Sequence, residues 1–417
     1  MTGCIAVVGA GQAGLQVALG LRALGYDGRV VLVGAEPELP YQRPPLSKGF
    51  LAGTVPVEEL ELRDASYLGE QRIELVLGRS VVEASVGDSG GELRLDDGTT
   101  LAFDGLALAT GANARRLPVP GADLPGVLGL RSVADAERLR AGLADASDVV
   151  VVGGGFVGLE VAATARAQGK RVTVVEAADR LLARVAAAPF SAHVRAWHEA
   201  QGTTVLTGRT VAALAGSGRV GGVVLGDGHL LPADLVVAGV GAAPVTDLAT
   251  ALGLRVEHGI VTDPSGRTSH PRVVAVGDCT VQPHPHDPGR LLGVESVNNA
   301  VEQASAAAAV LLGLDPGPRG VPWFWSNQGE LKLQLAGISD GHDTHVVRGD
   351  GQDGRLTVLY YRAGRLVAAD VAGNPRDFNA VKDALARGCT IDPDAAVDTA
   401  VPLKTLVSAV REPASLA

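Results

Sequence analysis

Two glycine-rich turns, each between an apolar run and a helical pattern, constrain this 417-residue chain more than any other feature. The first apolar run, Cys4 to Val8, leads into Gly9-Ala10-Gly11-Gln12-Ala13-Gly14. Leu15, Val17, Ala18 and Leu21 follow at helical spacing, and a second apolar run, Val30 to Val33, ends near Glu36. The order recurs as Asp148 to Val152, then Gly153-Gly154-Gly155-Phe156-Val157-Gly158, a helix over Leu159 to Ala167, and a strand over Arg171 to Val175 ending at Glu176. Strand, GxGxxG turn, helix, strand and a closing acid form the βαβ fingerprint of dinucleotide binding. The first glycine turns the chain out of the strand. The second lets backbone approach a pyrophosphate at the helix N-terminus, and the third lets helix and strand pack closely. One such turn is weak evidence; two complete units are strong. A carboxylate at Glu176 suits the free 2′-hydroxyl of NADH and repels the 2′-phosphate of NADPH, although Arg180 and Arg184 just beyond keep NADPH open.

Further buried strands are expected at Leu106–Thr110, Leu235–Gly239 and Val273–Val276. The last ends in Gly277-Asp278, which places a carboxylate at the C-terminal edge of a sheet, where ligands bind. A long Ala-rich helix is expected over Val294–Leu312, after a Pro/His loop at Pro283–Pro288. From Trp323 the texture changes to alternating segments at Lys332–Ile338, His345–Arg348, Leu356–Tyr361 and Leu366–Val371, the pattern of an antiparallel sheet. Helical stretches at Asp377–Ala386 and Leu403–Val410 close the chain. The expected class is therefore α/β: two Rossmann-like dinucleotide-binding domains and a C-terminal α+β domain with an antiparallel sheet.

Composition removes other classes. A net charge of −10 argues against a nucleic-acid binder or a polybasic membrane-surface protein. No apolar run reaches the roughly 18–20 residues of a membrane span. The first apolar stretch enters a glycine turn without a basic region before it, so it reads as strand and not as a signal peptide. Cys4, Cys279 and Cys389 are too few and too scattered for a disulfide framework or an iron–sulfur cluster; they fit buried apolar roles in a reducing cytoplasm, and no metal site is expected.

Beyond these turns, Leu39-Pro40-Tyr41-Gln42-Arg43-Pro44-Pro45-Leu46-Ser47-Lys48, Gly153–Glu160 with Val161-Ala162-Ala163, Ala275-Val276-Gly277-Asp278 and Pro322-Trp323-Phe324-Trp325-Ser326 give a more specific signal. In these stretches the chain resembles the putidaredoxin reductase-like NADH–ferredoxin reductases of the pyridine-nucleotide reductase superfamily, over nearly its whole length. The resemblance implies an FAD domain at 1–110 and 243–320, an NAD domain inserted at 111–242, and a C-terminal domain at 321–417. It implies FAD contacts at Gly9, Gly11, Ala13, Gly14, Arg43, Lys48, Val81, Arg131, Asp278 and Val297. The acid that holds the adenosine ribose commonly falls at the position of Ala35, with Glu36 as its substitute here. It implies NAD contacts at Gly153, Gly155, Phe156, Val157, Gly158, Glu176 and Glu295. Lys48 and Glu160 would form an ion pair beside the flavin, and Trp325 would lie near the flavin or nicotinamide.

The redox-active Cys pair of the superfamily's disulfide reductases is missing, since Pro40 to Phe50 holds no Cys and no C-x-x-C occurs anywhere. The resemblance thus implies that NADH reduces FAD, and that electrons leave one at a time to a two-iron ferredoxin. That carrier would feed an oxygenase of cytochrome P-450 or Rieske type. The chain has only five Lys, and Lys332, Lys382 and Lys404 fall in the C-terminal domain, where they are candidates for docking an acidic ferredoxin; Arg387 and Arg411 lie near two of them in sequence. A monomer in the cytoplasm is expected. Two other readings stay open: an NADH oxidase that reduces oxygen directly, and a flavoprotein with a binding or signalling role like apoptosis-inducing factor.

Overall fold

The computed structural model describes residues 3–409, which form two compact units. One comprises the chain up to Arg43, Val57–Asn113 and Ala242–Gly320; the other comprises Pro44–Pro56, Ala114–Gly241 and the chain from Val321.

The first unit is built on a five-stranded sheet. Its strands run Val273–Ala275, Gly105–Leu108, Cys4–Val8, Arg29–Gly34 and Ile73–Leu77 in spatial order, all parallel. A parallel sheet needs cover on both faces. On one face the helices Gln12–Ala23 and Val297–Leu311 pack together, with Leu15, Ala18, Leu21, Ala304 and Ala308 in a common core. Small alanines allow this close approach; a Cβ on Gly20 would lie 3.0 Å from that of Ala308. On the other face an antiparallel sheet of Val81–Gly87, Gly90–Leu95 and Thr100–Phe103 contributes Leu93, Leu95, Leu101 and Phe103.

The second unit repeats the plan. Thr204–Thr207, Arg171–Glu176, Asp148–Val152, Leu235–Ala238 and Val127–Leu128 form a parallel sheet in that order. A small antiparallel sheet, Val211–Gly216, Val220–Leu225 and Leu230–Pro232, covers one face. The antiparallel sheet from Trp323 onward takes the order Trp323–Gln328, Leu331–Gly337, Arg365–Ala372, Leu356–Arg362, Thr344–Arg348. Leu331, Leu333, Val358 and Tyr360 on one face join Leu159, Phe190 and Val194 of the nucleotide-type half. The other face packs Ala336, Leu359 and Val371 against Phe378, Val381 and Ala384 of the helix Pro375–Ala386. Arg348 is buried in an ion pair with Asp377 at 2.9 Å and donates to the carbonyls of Ala396, Asp398 and Val401, which ties the chain's last described stretch to this sheet.

Three local expectations need correction. Pro283–Pro288 is not a plain loop, because Thr280–His284 and Asp287–Leu292 pair as a hairpin. The Ala-rich helix starts at Val297, where Ser296 caps it by accepting from the Asn299 N–H at 3.0 Å. Leu403–Val410 is not a helix: Leu403–Leu406 is a single 3₁₀ turn and Val407–Ala409 is a strand paired to Cys389–Ile391. Val410 and Arg411 lie outside the described residues.

Candidate functional site: two dinucleotide cradles and a buried ion pair

The two glycine turns have the same geometry, down to individual atoms. Gly9 and Gly153 sit at φ +113° and +110°, a conformation open to glycine. A Cβ there would fall 2.0 Å from the Ala109 carbonyl oxygen and 2.3 Å from that of Gly239, so the next strand's end passes directly over each turn. A Cβ on Gly14 or Gly158 would strike the carbonyl of the first glycine in its own motif. At Gly11 and Gly155, by contrast, a Cβ would meet no atom within 4 Å. These two glycines are the N-caps of their helices and provide no side-chain cap, whereas Ser132, Ser296 and Asn374 cap other helices with their side chains. An uncapped helix N-terminus facing open space offers N–H groups and a positive dipole end to an anion. The residues therefore fit a pyrophosphate at each turn.

Backbone bonds align the two units and locate their acids. Gly9 N–H donates to Val33 O and Gly153 N–H to Val175 O, both at 2.8 Å. Arg79 N–H donates to Gly34 O and Arg209 N–H to Glu176 O, both at 3.0 Å. Gly34 is thus the counterpart of Glu176, and Glu36 is the counterpart of Ala178, whose carbonyl likewise accepts from a glycine N–H. In the second unit the Glu176 carboxylate closes the turn itself, accepting from Gly154 N–H at 2.6 Å and Ala178 N–H at 2.7 Å. In the first unit Gly34 leaves that spot without a side chain. Glu36, two residues on, accepts from the Tyr41 hydroxyl and from Arg43, both at 2.5 Å. Ala35 is exposed and brings no polar group. Arg43, whose guanidinium lies over the Tyr41 ring, is held charged by Tyr41, Glu36 and Asp278 against the cost of burial, so its pKa lies above the usual value. Gly277, next to Asp278, packs towards Ala13 of the first motif helix. The structure therefore gathers Gly9, Gly11, Ala13, Gly14, Glu36, Arg43 and Asp278 about one turn.

The second motif helix, Phe156–Ala167, carries the expected ion pair. Glu160 and Thr164 share a face one turn apart, and that face binds the segment Pro44–Pro56. Lys48 Nζ lies 2.6 Å from Glu160 Oε2, and Thr164 Oγ1 donates to Ser47 O at 2.8 Å. Two residues missed at the sequence level complete the cluster: Ser47 Oγ donates to Glu160 Oε2 at 2.5 Å, and Ser326 Oγ donates to Oε1 at 2.6 Å. Both stand inside the stretches that carried the resemblance, yet a serine's contacts have no sequence signature. A carboxylate that is 5% exposed needs such partners.

Other expected residues lie elsewhere. Trp325 projects from the opposite face of its strand to Ser326 and packs on Trp323, with ring centroids 5.4 Å apart, so it does not join Lys48 and Glu160. Phe156 packs on Phe324 at 4.6 Å, and Val157 is exposed beside the second turn. Val81 pairs with Leu95 at the edge of the small antiparallel sheet, and Val297 opens the Ala-rich helix. Arg131 donates its N–H to Asp135 beside a capping box. Glu295 belongs to the first unit, exposed and just before Ser296. Cys279 is fully buried, its thiol set against the carbonyls of Leu108 and Val276, and burial pushes its pKa up. All three cysteines are free thiols.

Two cradles for dinucleotide pyrophosphates, each followed by a carboxylate, define a two-nucleotide oxidoreductase. The chain belongs to the pyridine nucleotide-disulphide oxidoreductase family, whose members use FAD and NAD(H); that family's model matches residues 4–304, and a reductase C-terminal model matches residues 323–407. Rhodocoxin reductase of Rhodococcus erythropolis is 43% identical over 405 residues, 97% of this chain and 94% of that protein. The ferredoxin reductase component of a chlorobenzene dioxygenase from a Cupriavidus species is 38% identical, with 97% and 98% covered. Among solved structures, the covalent putidaredoxin reductase–putidaredoxin complex matches with a TM-score of 0.91 at 40% identity, covering 97% of this chain and 98% of that one.

Proposed function

We propose that the chain is an FAD-dependent NADH:ferredoxin oxidoreductase that supplies a two-iron ferredoxin serving an oxygenase. The observation that carries this reading is a pair of dinucleotide cradles in a chain with no thiol pair to receive electrons, its Cys279 being buried against carbonyls. When bound, FAD takes two electrons from NADH and gives them up singly. The protein's own part is placement and charge. Gly9, Gly11, Ala13 and Gly14 would seat the FAD pyrophosphate; Arg43, Glu36 and Asp278 would hold the rest of that nucleotide, with Val81, Arg131 and Val297 along it. Gly153, Gly155, Phe156, Val157 and Gly158 would seat NADH, with Glu176 at its ribose and Glu295 a further contact. Lys48, held by Glu160, would supply positive charge beside the flavin, and Trp325 would screen the site.

The C-terminal domain, residues 321–417, is proposed as the docking surface, in a chain with an FAD domain (1–110, 243–320) and an NAD domain (111–242). Strand pairing sets Lys332 opposite Asn327, on the sheet face that bears Trp323 and Trp325. Lys382 reaches over the Trp323 ring at 4.8 Å, and Lys404 follows Leu403, which packs with Phe378 and Val381. These three point charges would suit an acidic ferredoxin. Among the described residues no helix is long and apolar enough to cross a membrane. A monomer working in the cytoplasm is the proposed state.

Steady-state NADH oxidation tests the assignment. Turnover with a two-iron ferredoxin is expected to exceed turnover with oxygen alone by orders of magnitude. Equal rates would identify an NADH oxidase instead.

A further inference from the structure

The Lys48–Glu160 pair is one end of a longer buried chain of polar groups. Gln328 Nε2 donates to Ser326 Oγ at 3.3 Å, and His198 Nε2 lies 2.8 Å from Gln328 Oε1. Ser326, Gln328 and His198 are each fully buried. Every donor in this chain points the same way. The Glu160 carboxylate only accepts, so Ser326 must donate to it. Ser326 oxygen then accepts from the Gln328 amide nitrogen, and the Gln328 oxygen is left to accept from His198. That fixes His198 as the tautomer carrying its proton on Nε2. Among the described residues its Nδ1 is buried without a hydrogen-bond partner, so a second proton there would find no acceptor. Burial pushes the imidazole pKa down, partly opposed by the bond to Gln328, so the ring is neutral near pH 7. No packing need calls for a Ser, a Gln and a His at the centre of an apolar core. The apolar core they sit in includes Leu159, Phe190, Val194, Leu331 and Leu333, with Trp197 edge-on to the His198 ring.

We propose that Ser326, Gln328 and His198 are positioning residues: they form a one-way hydrogen-bond chain ending on Glu160 Oε1, which orients that carboxylate and through it the Lys48 ammonium. The strand Trp323–Gln328 thereby supports the charge that Lys48 would offer a bound flavin, while Ser47 holds the other carboxylate oxygen. The value of this chain for catalysis rests on the flavin reading above; its existence and direction do not.

The experiment uses the holoprotein with ¹⁵N-labelled histidine, the His198 resonance being assigned by its loss in His198→Gln. The expected wild-type signature is a neutral ring with its proton on Nε2 that does not titrate between about pH 6 and 8. Ser326→Ala should shift the His198 nitrogen signals although it does not touch the ring, and Glu160→Gln should shift them from one residue further. Ser326→Thr, which keeps the hydroxyl, should restore them. In flavin reduction by NADH, Ser326→Ala should lower the limiting rate several-fold with the KM for NADH unchanged, again rescued by Thr. An Nδ1-protonated or cationic His198 at pH 7 overturns the chain, as does a His198 signal indifferent to both Ser326→Ala and Glu160→Gln. Should Ser326→Ala fail to fold, the wild-type tautomer and the Glu160→Gln shift decide the matter. If Lys48→Met leaves the rate of flavin reduction unaltered, the pair's service to the flavin falls, while the His198 signals still judge the chain.

Discussion

Asp370 offers the sharpest test of the energetics in the C-terminal sheet. It is fully buried, opposite Val358, and the Tyr360 hydroxyl on the neighbouring strand donates to it while accepting the Ala187 N–H at 2.9 Å. Burial outweighs that hydrogen bond and pushes the carboxyl from its ordinary 3.8 up to about 7. The folded protein therefore keeps a proton that the unfolded chain gives up near pH 4. Between those values each pH unit removes about 1.36 kcal/mol of stability. The contribution is fully present below pH 4 and is lost as pH rises through 7. From pH 5 to pH 8 the loss is about 2.7 kcal/mol, two units' worth, since little changes once the group has ionised in both states. Asp370→Asn removes the ionisation and keeps an oxygen for Tyr360. Urea unfolding of both proteins at pH 5 and pH 8, followed by a probe in the C-terminal sheet, measures the difference. The Asn variant should gain roughly 2–3 kcal/mol relative to the wild type over that range. A difference that does not change with pH would refute the reasoning, because it would mean the carboxyl titrates alike in folded and unfolded chains.

Other outcomes follow from the site. Glu176→Ala should narrow the preference for NADH over NADPH about tenfold, a change of about 1.4 kcal/mol in kcat/KM discrimination; a wild-type protein that favours NADPH contradicts the assignment. Gly9→Ala forces a Cβ to within 2.0 Å of the Ala109 carbonyl oxygen, so the purified variant should carry far less than one FAD per chain, as read from its visible absorbance. Lys382→Glu and Lys404→Glu should raise the KM for ferredoxin several-fold at low salt, less so at high salt, and leave ferricyanide reduction by NADH unaltered. Ferredoxin kinetics indifferent to both substitutions would move the docking surface elsewhere.

The parts of the fold legible in the sequence are those where local chemistry and tertiary demand coincide. Branched apolar runs, a glycine that must take positive φ and an apolar helical stripe marked both βαβ units, with strand ends within a residue or two. Where pairing is long-range the sequence misled. Leu403, Leu406 and Val407 repeat at helical spacing, but Val407 pairs with Ile391, and the chain past the 3₁₀ turn is drawn into a ladder. Pro283 and Pro288 read as breakers; Pro283 lies beyond Val281, where the parallel partner on that side ends, so no ladder bond is lost there. The site shows the same division. Lys48 and Glu160 were legible as a pair through the segments around them. Ser326 was not, since strand alternation places it or Trp325 towards Glu160 with equal ease, and only the paired sheet decides which. The shift of the first unit's acid to Glu36 was visible as a substitution, but Gly34 emerges as the true counterpart of Glu176 only from the matching backbone bonds.

The chain passes between the two units five times, at Arg43/Pro44, Pro56/Val57, Asn113/Ala114, Gly241/Ala242 and Gly320/Val321. This interleaving governs how the protein can be made. The strand Cys4–Val8 borders Gly105–Leu108, which in turn borders Val273–Ala275. Its sheet cannot close until Val273–Ala275 has been translated. The helix Phe156–Ala167 likewise waits for Ser326 before Glu160 has all its partners. Pairing between strands this far apart in sequence is slow and leaves apolar strands exposed in the interval. Heterologous production should profit from slow synthesis at low temperature more than from shorter versions of the chain. No single cut in the backbone yields either unit whole.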